Sequence, residues 1–469
     1  NLALNRPKDY CQNNPLLCSQ LYAIGAGDTT PNAVFTIPYT AGSTRTTGSQ
    51  QPTDFQVPGN TSLATSAQVG TTFGIAYQTR ARKVFVSAYM KKHAAFGPGG
   101  TGAIYQIDRG TGTVSEYVNL NTVFGANTAG VNNHNAADYN IDNGQATWEA
   151  VGKTAFGGMA ISEDETNLFV MNLANRRIYK IPTSGTLNSA TITSTAFPAT
   201  MPGCTTAADV RPVSGNWNEG LIYVGAVCSA ESTPATLSNL QAYVYTVDPV
   251  TLTFSASPVL QFPLNYTRGF MDNPARATWL AWRTTFATIA NGQSEFMYPQ
   301  PMLTDIEFDR GNMILALRDR GGDQIGYLNA SNPNNSGQLW VGVSGGDILR
   351  ACGSSPTWTL ESNSRCGGTG NGPQNNGQGP GNGEFYYQDN YIPGGWHEEV
   401  ALGAAMQVPG HNEMVATMFD PAWMSGAGDL QVLFAGGFRW VVKTGATAGS
   451  ENRGYLAYWI SGFGKAAGV

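Results

Sequence analysis

The chain has 469 residues, a formal net charge of −6 and a pI near 5.3. Only 12% of the residues are charged, about half of the usual share, whereas glycine and proline number 57 and 25. An acidic chain without a basic stripe does not attract a nucleic-acid backbone, and no segment reaches the ~20 apolar residues of a membrane helix. We therefore expect no nucleic-acid partner and no membrane insertion.

The N-terminal part combines a cysteine pair with two strand-like runs. Residues 1–20 contain Cys11 and Cys18 and are predicted to form a disulfide-pinned leader. Leu21–Ile24 and Ala33–Ile37 are predicted strands that complete the last blade of a ring. The chain starts at Asn1 rather than at methionine, and residues 463–469 read as the start of a linker. These features suggest a mature, exported chain.

A pattern of four strand-like segments separated by turns then begins and recurs along the sequence. Its clearest instance ends in a hairpin turn, Asp108-Arg109-Gly110-Thr111-Gly112, with glycine where a positive φ is needed. Four short antiparallel strands in this order are typical of one blade of a β-propeller. The predicted strands of this blade are Thr72–Tyr77, Lys83–Tyr89, Ala103–Asp108 and Thr113–Val118.

The same four-strand pattern predicts further blades towards the C-terminus. The second ends in an outer strand from Thr186 onward, and the third in an outer strand at Leu252–Phe254. The pattern predicts an all-β propeller of five to seven blades, six being favoured, over residues 21–462 with long loop insertions. The remaining blades are predicted to begin at Phe156, Ala207, Leu303 and Val400.

The six cysteines fall into three local pairs. Six cysteines allow fifteen connectivities, so we assign the pairs Cys11/Cys18, Cys204/Cys228 and Cys352/Cys366 by proximity alone. No C-x-x-C motif is present and no histidine stands at metal-ligand spacing, which favours disulfides over zinc. Disulfides indicate an oxidising compartment, so we expect a secreted protein at the cell surface.

The segment from Leu303 to Tyr458 resembles part of large secreted bacterial surface proteins. The residues that carry the resemblance are Leu303–Asp309, Leu317–Gln324, Gly345–Arg350, Gly383–Tyr387 and Gly445–Tyr458. In that family a propeller-like region precedes repeated B-type domains of the kind found in serine–aspartate-repeat adhesins. The resemblance implies a cell-surface location with an adhesive or structural role, and it carries over no catalytic residue.

Two acidic segments are candidate calcium sites. Asp305, Glu307 and Asp309 alternate along one strand and share a face, where three carboxylates repel unless a cation or several donors lie among them. Asp319 and Asp323 flank two glycines in a polar turn, and oxygen-only ligands suit Ca²⁺. Alternatively Asp309 caps the following turn, and Asp305 and Glu307 pair with Arg318 or Arg320. Possible Ca²⁺ is the only cofactor that we predict.

Aromatic side chains and one histidine are candidates for ligand binding. Loop aromatics can stack on sugar rings or pack against another subunit, although packing on the protein's own loops is the usual outcome. His397 lies beside Glu398 and Glu399 and can serve as a metal ligand or as an acid–base group. The candidate residues are Trp148, Trp217, Tyr387, Trp396 and His397.

These observations favour a non-enzymatic extracellular module with an adhesive role or a structural role as a matrix or filament subunit. Its expected partners are other copies of itself, or cell-surface polymers and glycans. The first alternative is a lectin-like propeller that binds glycans. The second is a Ca²⁺-supported hydrolase or lyase acting on polysaccharide or a lactone, which requires Asp305, Glu307 and His397 to converge.

Overall fold

A computed structural model provides the fold and the side-chain contacts. It describes residues 13–23, 25, 32–44, 51–135, 139, 142, 144–234, 236–269, 277–287, 295–326, 329, 339–342, 344–387, 399–422, 435–443 and 453–458. In these residues six antiparallel sheets are arranged around a central channel, which confirms the predicted six-bladed β-propeller.

Blade 1 is a three-stranded sheet built from the N-terminal part of the chain, in the order β1-β2-β4. It is a blade of its own, so the prediction that these residues only complete the last blade was wrong. Its first strand also lies within the predicted leader, and the prediction of a strand at 21–24 was wrong for the described residues 21–23. The strands are β1 (Leu16–Gln20), β2 (Asn32–Pro38), β3 (Ser43–Thr44) and β4 (Thr61–Thr65).

Packing explains why this segment becomes a blade. Leu17 and Phe35 are buried against Trp440 of the last blade, while Val34 packs against Val84 of the second blade. A sheet with apolar residues on both faces is stable only between two neighbours. β3 pairs instead with the C-terminal strand of the last blade and closes the ring.

In blades 2, 3 and 4 the strands follow one another along the chain from the central channel to the outer edge, as predicted. The outer strands of blades 3 and 4 begin later than predicted, because the residues before them form long turns. The strands are β5 (Thr72–Gln78), β6 (Lys83–Ala88), β7 (Ala103–Asp108), β8 (Val114–Asn119), β9 (Phe156–Ile161), β10 (Asn167–Asn172), β11 (Arg177–Pro182), β12 (Thr193–Ala196), β13 (Val210–Pro212), β14 (Asn216–Asn218), β15 (Leu221–Cys228), β16 (Gln241–Val247) and β17 (Leu260–Pro263).

Blades 5 and 6 complete the ring, and blade 6 has the order β26-β27-β28-β29-β3. Two short pairs, β18 with β21 and β24 with β25, lie outside the blades. The strands are β18 (Glu295–Phe296), β19 (Pro301–Asp309), β20 (Asn312–Asp319), β21 (Val341–Gly342), β22 (Asp347–Ser354), β23 (Thr357–Leu360), β24 (Arg365–Cys366), β25 (Thr369–Gly370), β26 (Ala401–Gln407), β27 (Glu413–Phe419), β28 (Gly436–Val442) and β29 (Arg453–Tyr458).

The helices among the described residues are single turns in the connections. None of them is long and apolar enough to cross a lipid bilayer. The α-helices are Ser66–Val69, Leu120–Phe124, Gln145–Ala150 and Arg320–Asp323, and the 3₁₀ helices are Pro52–Gln56, Gly100–Gly102, Ala207–Asp209, Leu237–Asn239 and Pro380–Asn382.

Local sequence sets the hairpins and the middle strands. In blade 2 the Asp108 carboxylate accepts hydrogen bonds from Gly110 N at 2.7 Å and Thr111 N at 3.0 Å, and Gly112 has a φ of +75°. This is an Asx turn, in which an aspartate side chain holds the backbone of the next residues. Middle strands such as β10 and β20 are buried on both faces, so their sequences are continuous apolar runs and do not alternate between apolar and polar residues.

Two of the three predicted disulfides are confirmed. Cys204 bonds to Cys228 at the end of β15, and Cys352 of β22 bonds to Cys366. Cys18 carries a free thiol in the structure, and its predicted partner Cys11 lies outside the described residues. The Cys11–Cys18 pairing therefore stays a prediction. The two observed bonds are of the kind that persists in oxidising compartments.

Candidate functional site

The six blades surround a channel cavity of about 240 Å³. The inner strand of each blade contributes to its wall: Gln20 in β1, Phe73 in β5, Met159 in β9, Asn216 in β14, Glu307 in β19 and Leu402 in β26. Propellers commonly place their ligand sites where the inner strands meet. The channel is therefore the first place to look for a site.

A β-bulge in β19 shapes the wall of this cavity. The pairing register with β20 shifts between Leu303 and Asp305, so the consecutive residues Thr304 and Asp305 both line the cavity. Gly403 of β26 lies directly opposite, with a φ of +83°. A Cβ at Gly403 would stand 2.4 Å from Thr304 Oγ1, so only glycine allows blades 5 and 6 to approach this closely.

Two carboxylates, Asp305 and Glu307, face the cavity from β19. Asp305 accepts hydrogen bonds from Ala405 N at 3.0 Å and Ile306 N at 2.9 Å, and Glu307 accepts one from Asn216 Nδ2 at 3.3 Å. Neither carboxylate forms an ion pair with a described residue, and neither pairs with Arg318. Burial raises the pKa of Asp305 to about 6, and burial together with the charge of Asp305 raises the pKa of Glu307 well above its usual value.

We expect Asp305→Asn to stabilise the protein at pH 7 in the presence of a chelator. Because the folded-state pKa of about 6 exceeds the ordinary 3.8, the folded chain binds this proton more tightly, and stability falls as pH rises between those values. The gain should be about 1–2 kcal/mol, since the side chain is partly solvated by the cavity.

Urea unfolding at pH 3 and pH 7 measures this effect. The difference between Asp305→Asn and the wild type should disappear near pH 3, below both pKa values, where Asp305 is protonated in the folded and in the unfolded chain. A variant that is less stable than the wild type at pH 7 would show that the ionised carboxylate stabilises the fold.

Arg318 and Tyr22 also line the cavity. Asp323 accepts from Arg318 Nε at 2.7 Å and Nη2 at 2.6 Å, and also contacts Lys91 Nζ at 3.4 Å. Tyr89 donates its hydroxyl to the same carboxylate at 2.8 Å. Burial alone would raise the pKa of Asp323, but the two cations hold it below its usual value. This buried cluster therefore fixes Arg318 in the wall of the channel.

The structure does not bring the five predicted calcium ligands together. Asp305 and Glu307 line the channel, whereas Asp323 is bound to Arg318 and Lys91. Asp309 is buried in ion pairs with Arg350 at 3.4 Å and Lys443 at 3.2 Å, and its side chain does not cap the turn.

Asp319 caps the helix Arg320–Asp323 by accepting from Gly321 N at 2.7 Å, and it also accepts from Gln300 N at 2.8 Å. Burial raises the pKa of Asp319 to about 7. Both hydrogen bonds come from backbone amides, which fits a structural cap.

A different group of carboxylates does converge. Asp347, Glu384 and Glu399 are all fully buried, and one oxygen from each lies within 4.8 Å of the others. Asp347 is the first residue of β22, Glu384 follows the turn Pro380–Asn382, and Glu399 precedes β26. We call this group the carboxylate cluster. None of its three acids is among the residues predicted as ligands from the sequence.

Asp347 and Glu399 of the carboxylate cluster each accept a hydrogen bond from a neighbouring segment of the chain. Tyr266 donates its hydroxyl to Asp347 Oδ2, and Gly269 N donates to Glu399 Oε1. The other Asp347 oxygen, Oδ1, is buried and receives no hydrogen bond from an N–H or O–H group. The Asp347 and Glu384 carboxyl groups are in contact with each other. Burial raises the pKa of Asp347.

Arg268 lies next to this cluster. Arg268 Nη1 donates to the carbonyl oxygens of Gly345 at 2.5 Å and Gly346 at 3.1 Å, and its guanidinium stands 3.8 Å from the Trp279 ring centre. Trp279 Nε1 in turn donates to the Tyr266 hydroxyl at 3.4 Å. The aromatic pair Tyr266 and Trp279 therefore lies directly against the carboxylate cluster.

The predicted aromatic ligand residues have different surroundings. Trp148 is fully buried in the short helix Gln145–Ala150 rather than in a loop, and its ring centre lies 5.3 Å from that of Phe286. Tyr387 is half-buried at the end of a loop. Trp396 and His397 lie outside the described residues, so the convergence of His397 with Asp305 and Glu307 is not tested.

Among the predicted aromatic residues that the structure describes, Trp217 has surroundings that suit a bound ligand. It is half-exposed, stacks on Phe169 at 6.0 Å, and lines a groove of about 530 Å³ that we call the Trp217 groove. The groove lies among the hairpins of blades 2, 3 and 4. Its other lining residues are polar or charged for the most part: Arg80, Ser162, Glu163, Asp164, Asn167, Lys180, Pro249 and Val250.

Sequence comparison finds similar proteins in Dictyostelium discoideum. The chain is 31% identical to Colossin-A over 375 residues, which cover 77% of this chain and 3% of that protein. It is 27% identical to Colossin-C over 474 residues, 96% of this chain and 43% of that protein, and 27% identical to Colossin-B over 450 residues, 90% and 10%. The chain thus spans less than half the length of each of these relatives.

No protein-family model matches the chain. Among solved structures, a protein from Lactobacillus plantarum is similar with a TM-score of 0.37 and 8% identity, covering 94% of this chain and 96% of that one. YCF48 from Cyanidioschyzon merolae has a TM-score of 0.32 and 10% identity, covering 85% and 73%. Such scores add nothing to the fold assignment, which rests on the sheets themselves.

Proposed function

We propose that this propeller is a non-enzymatic extracellular module of a larger surface protein, with an adhesive or structural role. The size of the channel supports this proposal most. Sites for small organic ligands usually measure about 300–1,000 Å³, and the channel cavity of about 240 Å³ is smaller. A polymer substrate does not fit there, so binding falls to the outer faces.

The lengths of the relatives support the idea of a module. Most of this chain is similar to 3% of Colossin-A, 10% of Colossin-B and 43% of Colossin-C. One unit carried by proteins of such different lengths is typical of a domain that folds and acts by itself within a longer chain. The two disulfides are consistent with a secreted module exposed at the cell surface.

Retention on surfaces tests the proposal. Inert beads that carry the purified protein should be retained on cells, on extracellular polymers or on beads that carry further copies of it. Beads that carry heat-unfolded protein should not be retained. Light scattering of the free protein separates self-association from attachment to polymers. Release of reducing ends from polysaccharide, or opening of a lactone, at a rate proportional to protein concentration would contradict a non-enzymatic role.

The Trp217 groove favours glycan binding as a second function. A sugar ring has an apolar face and a rim of hydroxyl groups, and the groove offers a flat aromatic ring surrounded by amide, carboxylate and ammonium groups. Its volume of about 530 Å³ lies within the range of small-ligand sites. Binding of this kind would also produce adhesion.

Trp217→Ala is expected to lower retention on glycan-coated surfaces by about two- to tenfold, because an aromatic stacking contact is worth about 0.5–1.5 kcal/mol. Phe124→Ala is the matched control, since Phe124 is exposed by 37% and does not line the groove. A glycan array measures both variants. Equal binding by the wild type and Trp217→Ala would remove the groove from consideration.

A further inference from the structure

We infer that the carboxylate cluster of Asp347, Glu384 and Glu399 is a binding site for a divalent cation of the Ca²⁺ type, which joins the loops between blades 5 and 6. The three acids come from three separate segments of the chain and meet where no water reaches them. This site is separate from the channel acids that the sequence predicted.

The burial of the cluster favours a bound cation. Asp347, Glu384 and Glu399 are fully buried, and a buried carboxylate is stable in its ionised form only when hydrogen bonds or positive charges compensate it. Arg268 contributes one positive charge beside Asp347. A divalent cation held by all three acids contributes two more.

The geometry also suits a hard cation. Ca²⁺–oxygen distances are about 2.3–2.6 Å, so the oxygens bound to one ion lie within about 5 Å of each other. The three carboxylate oxygens are within 4.8 Å of one another, and all are oxygen donors without nitrogen or sulfur. Asp347 Oδ1 is buried without a hydrogen-bond donor, which is the state of an oxygen that serves a cation.

A shared proton is the competing explanation. The contact between the carboxyl groups of Asp347 and Glu384 is favourable if one of them is protonated. One shared proton, however, joins only two of the three acids, whereas a cation is held by all three. The nearby Glu361 does not supply the missing donor, because its two oxygens accept from Arg350 N at 3.0 Å and Phe385 N at 3.2 Å.

The position of the cluster gives the cation a structural task. Residues 361–387 contain few apolar side chains that could hold them by packing, and Glu399 lies just before β26 of blade 6. A cation bound by one residue from each segment ties β22, this loop and β26 together. Its effect would be to order the face of the propeller that carries the long insertions.

Terbium luminescence tests this site directly, since Tb³⁺ replaces Ca²⁺ and emits when it is excited through a nearby aromatic ring. Tyr266 and Trp279 lie directly against the cluster and serve as the donors. We expect sensitised Tb³⁺ emission from the wild type, displaced by Ca²⁺ with half-saturation at about 10⁻⁴–10⁻³ M, the range of extracellular modules. The double variant Glu384→Gln/Glu399→Gln should lose this emission.

The matched control is Asp305→Asn/Glu307→Gln, which removes two carboxylates from the channel and leaves the cluster intact. It should keep the emission of the wild type. A thermal melt provides a readout that needs no variant: Ca²⁺ tenfold above its Kd should raise the Tm of the wild type by about 1–3 °C over protein in chelator.

Two results would overturn the inference. If the wild type shows no sensitised emission and has the same Tm in Ca²⁺ and in chelator, the cluster is held by shared protons and not by a cation. Emission lost in the channel variant and kept in the cluster variant would move the cation to Asp305 and Glu307. Neither result bears on adhesion, which the bead assay measures in the presence of chelator.

Discussion

Asp323→Asn is expected to lower the free energy of unfolding by about 3–5 kcal/mol, because removal of one partner leaves uncompensated buried charges. Asp323 is fully buried, and its carboxylate neutralises Arg318 and Lys91, which are exposed by only 3% and 2%. Asparagine has the same shape but accepts with one oxygen and carries no charge. Urea unfolding monitored by tryptophan fluorescence measures the loss.

Two further variants show whether the loss arises from charge. Asp108→Asn is the matched control, since Asp108 is exposed and asparagine preserves its Asx turn, and its effect should stay within about 0.5 kcal/mol. Adding Lys91→Met to Asp323→Asn should recover part of the lost stability by removing one unpaired cation. If Asp323→Asn costs less than about 1 kcal/mol, the charge of Asp323 does not stabilise the fold in the way described.

Removing either observed disulfide is expected to cost about 2–4 kcal/mol. Cys204–Cys228 and Cys352–Cys366 close segments with sequence separations of 24 and 14 residues. Each bond limits the conformations of the unfolded chain, so Cys204→Ala/Cys228→Ala and Cys352→Ala/Cys366→Ala should unfold at lower urea concentrations than the wild type. Both double variants are measured without reductant.

Cys18→Ala is the control for these variants and also decides the third predicted pair. Cys18 carries a free thiol in the structure, and burial raises the pKa of that thiol to about 12. A free thiol predicts a small effect, whereas a loss of about 2–4 kcal/mol would establish a bond from Cys18 to Cys11. Counting thiols in the unfolded, unreduced wild type gives an independent answer.

Most blades could be predicted because their information is local. The Asx turn at Asp108, and the apolar runs of β6 and β10, are visible within a few residues of sequence. Blade 1 could not be placed in the same way. Its assignment depends on contacts with Val84 and Trp440, which lie far away along the chain, and its strand pairing is interrupted by the loop that contains β3.

The candidate sites were harder to predict than the fold, because they depend on which acids meet which cations. Spacing alone grouped Asp323 with Asp319 as calcium ligands, yet Arg318 occupies the Asp323 carboxylate. The carboxylate cluster had one local signal: each of Asp347, Glu384 and Glu399 is followed by two fully buried apolar or aromatic residues. An acidic residue that directly precedes buried apolar residues is buried together with them. Which groups become its partners, however, depends on the tertiary fold.

The most direct measurement compares the wild type with the channel variant Asp305→Asn/Glu307→Gln in the bead-retention assay. If the propeller acts through its outer faces, the two proteins hold equally well to cells, polymers or further copies, and neither releases reducing ends. If the channel variant loses retention, or if the wild type degrades a polymer and the variant does not, the function resides in the channel and the account of a non-enzymatic surface module is wrong.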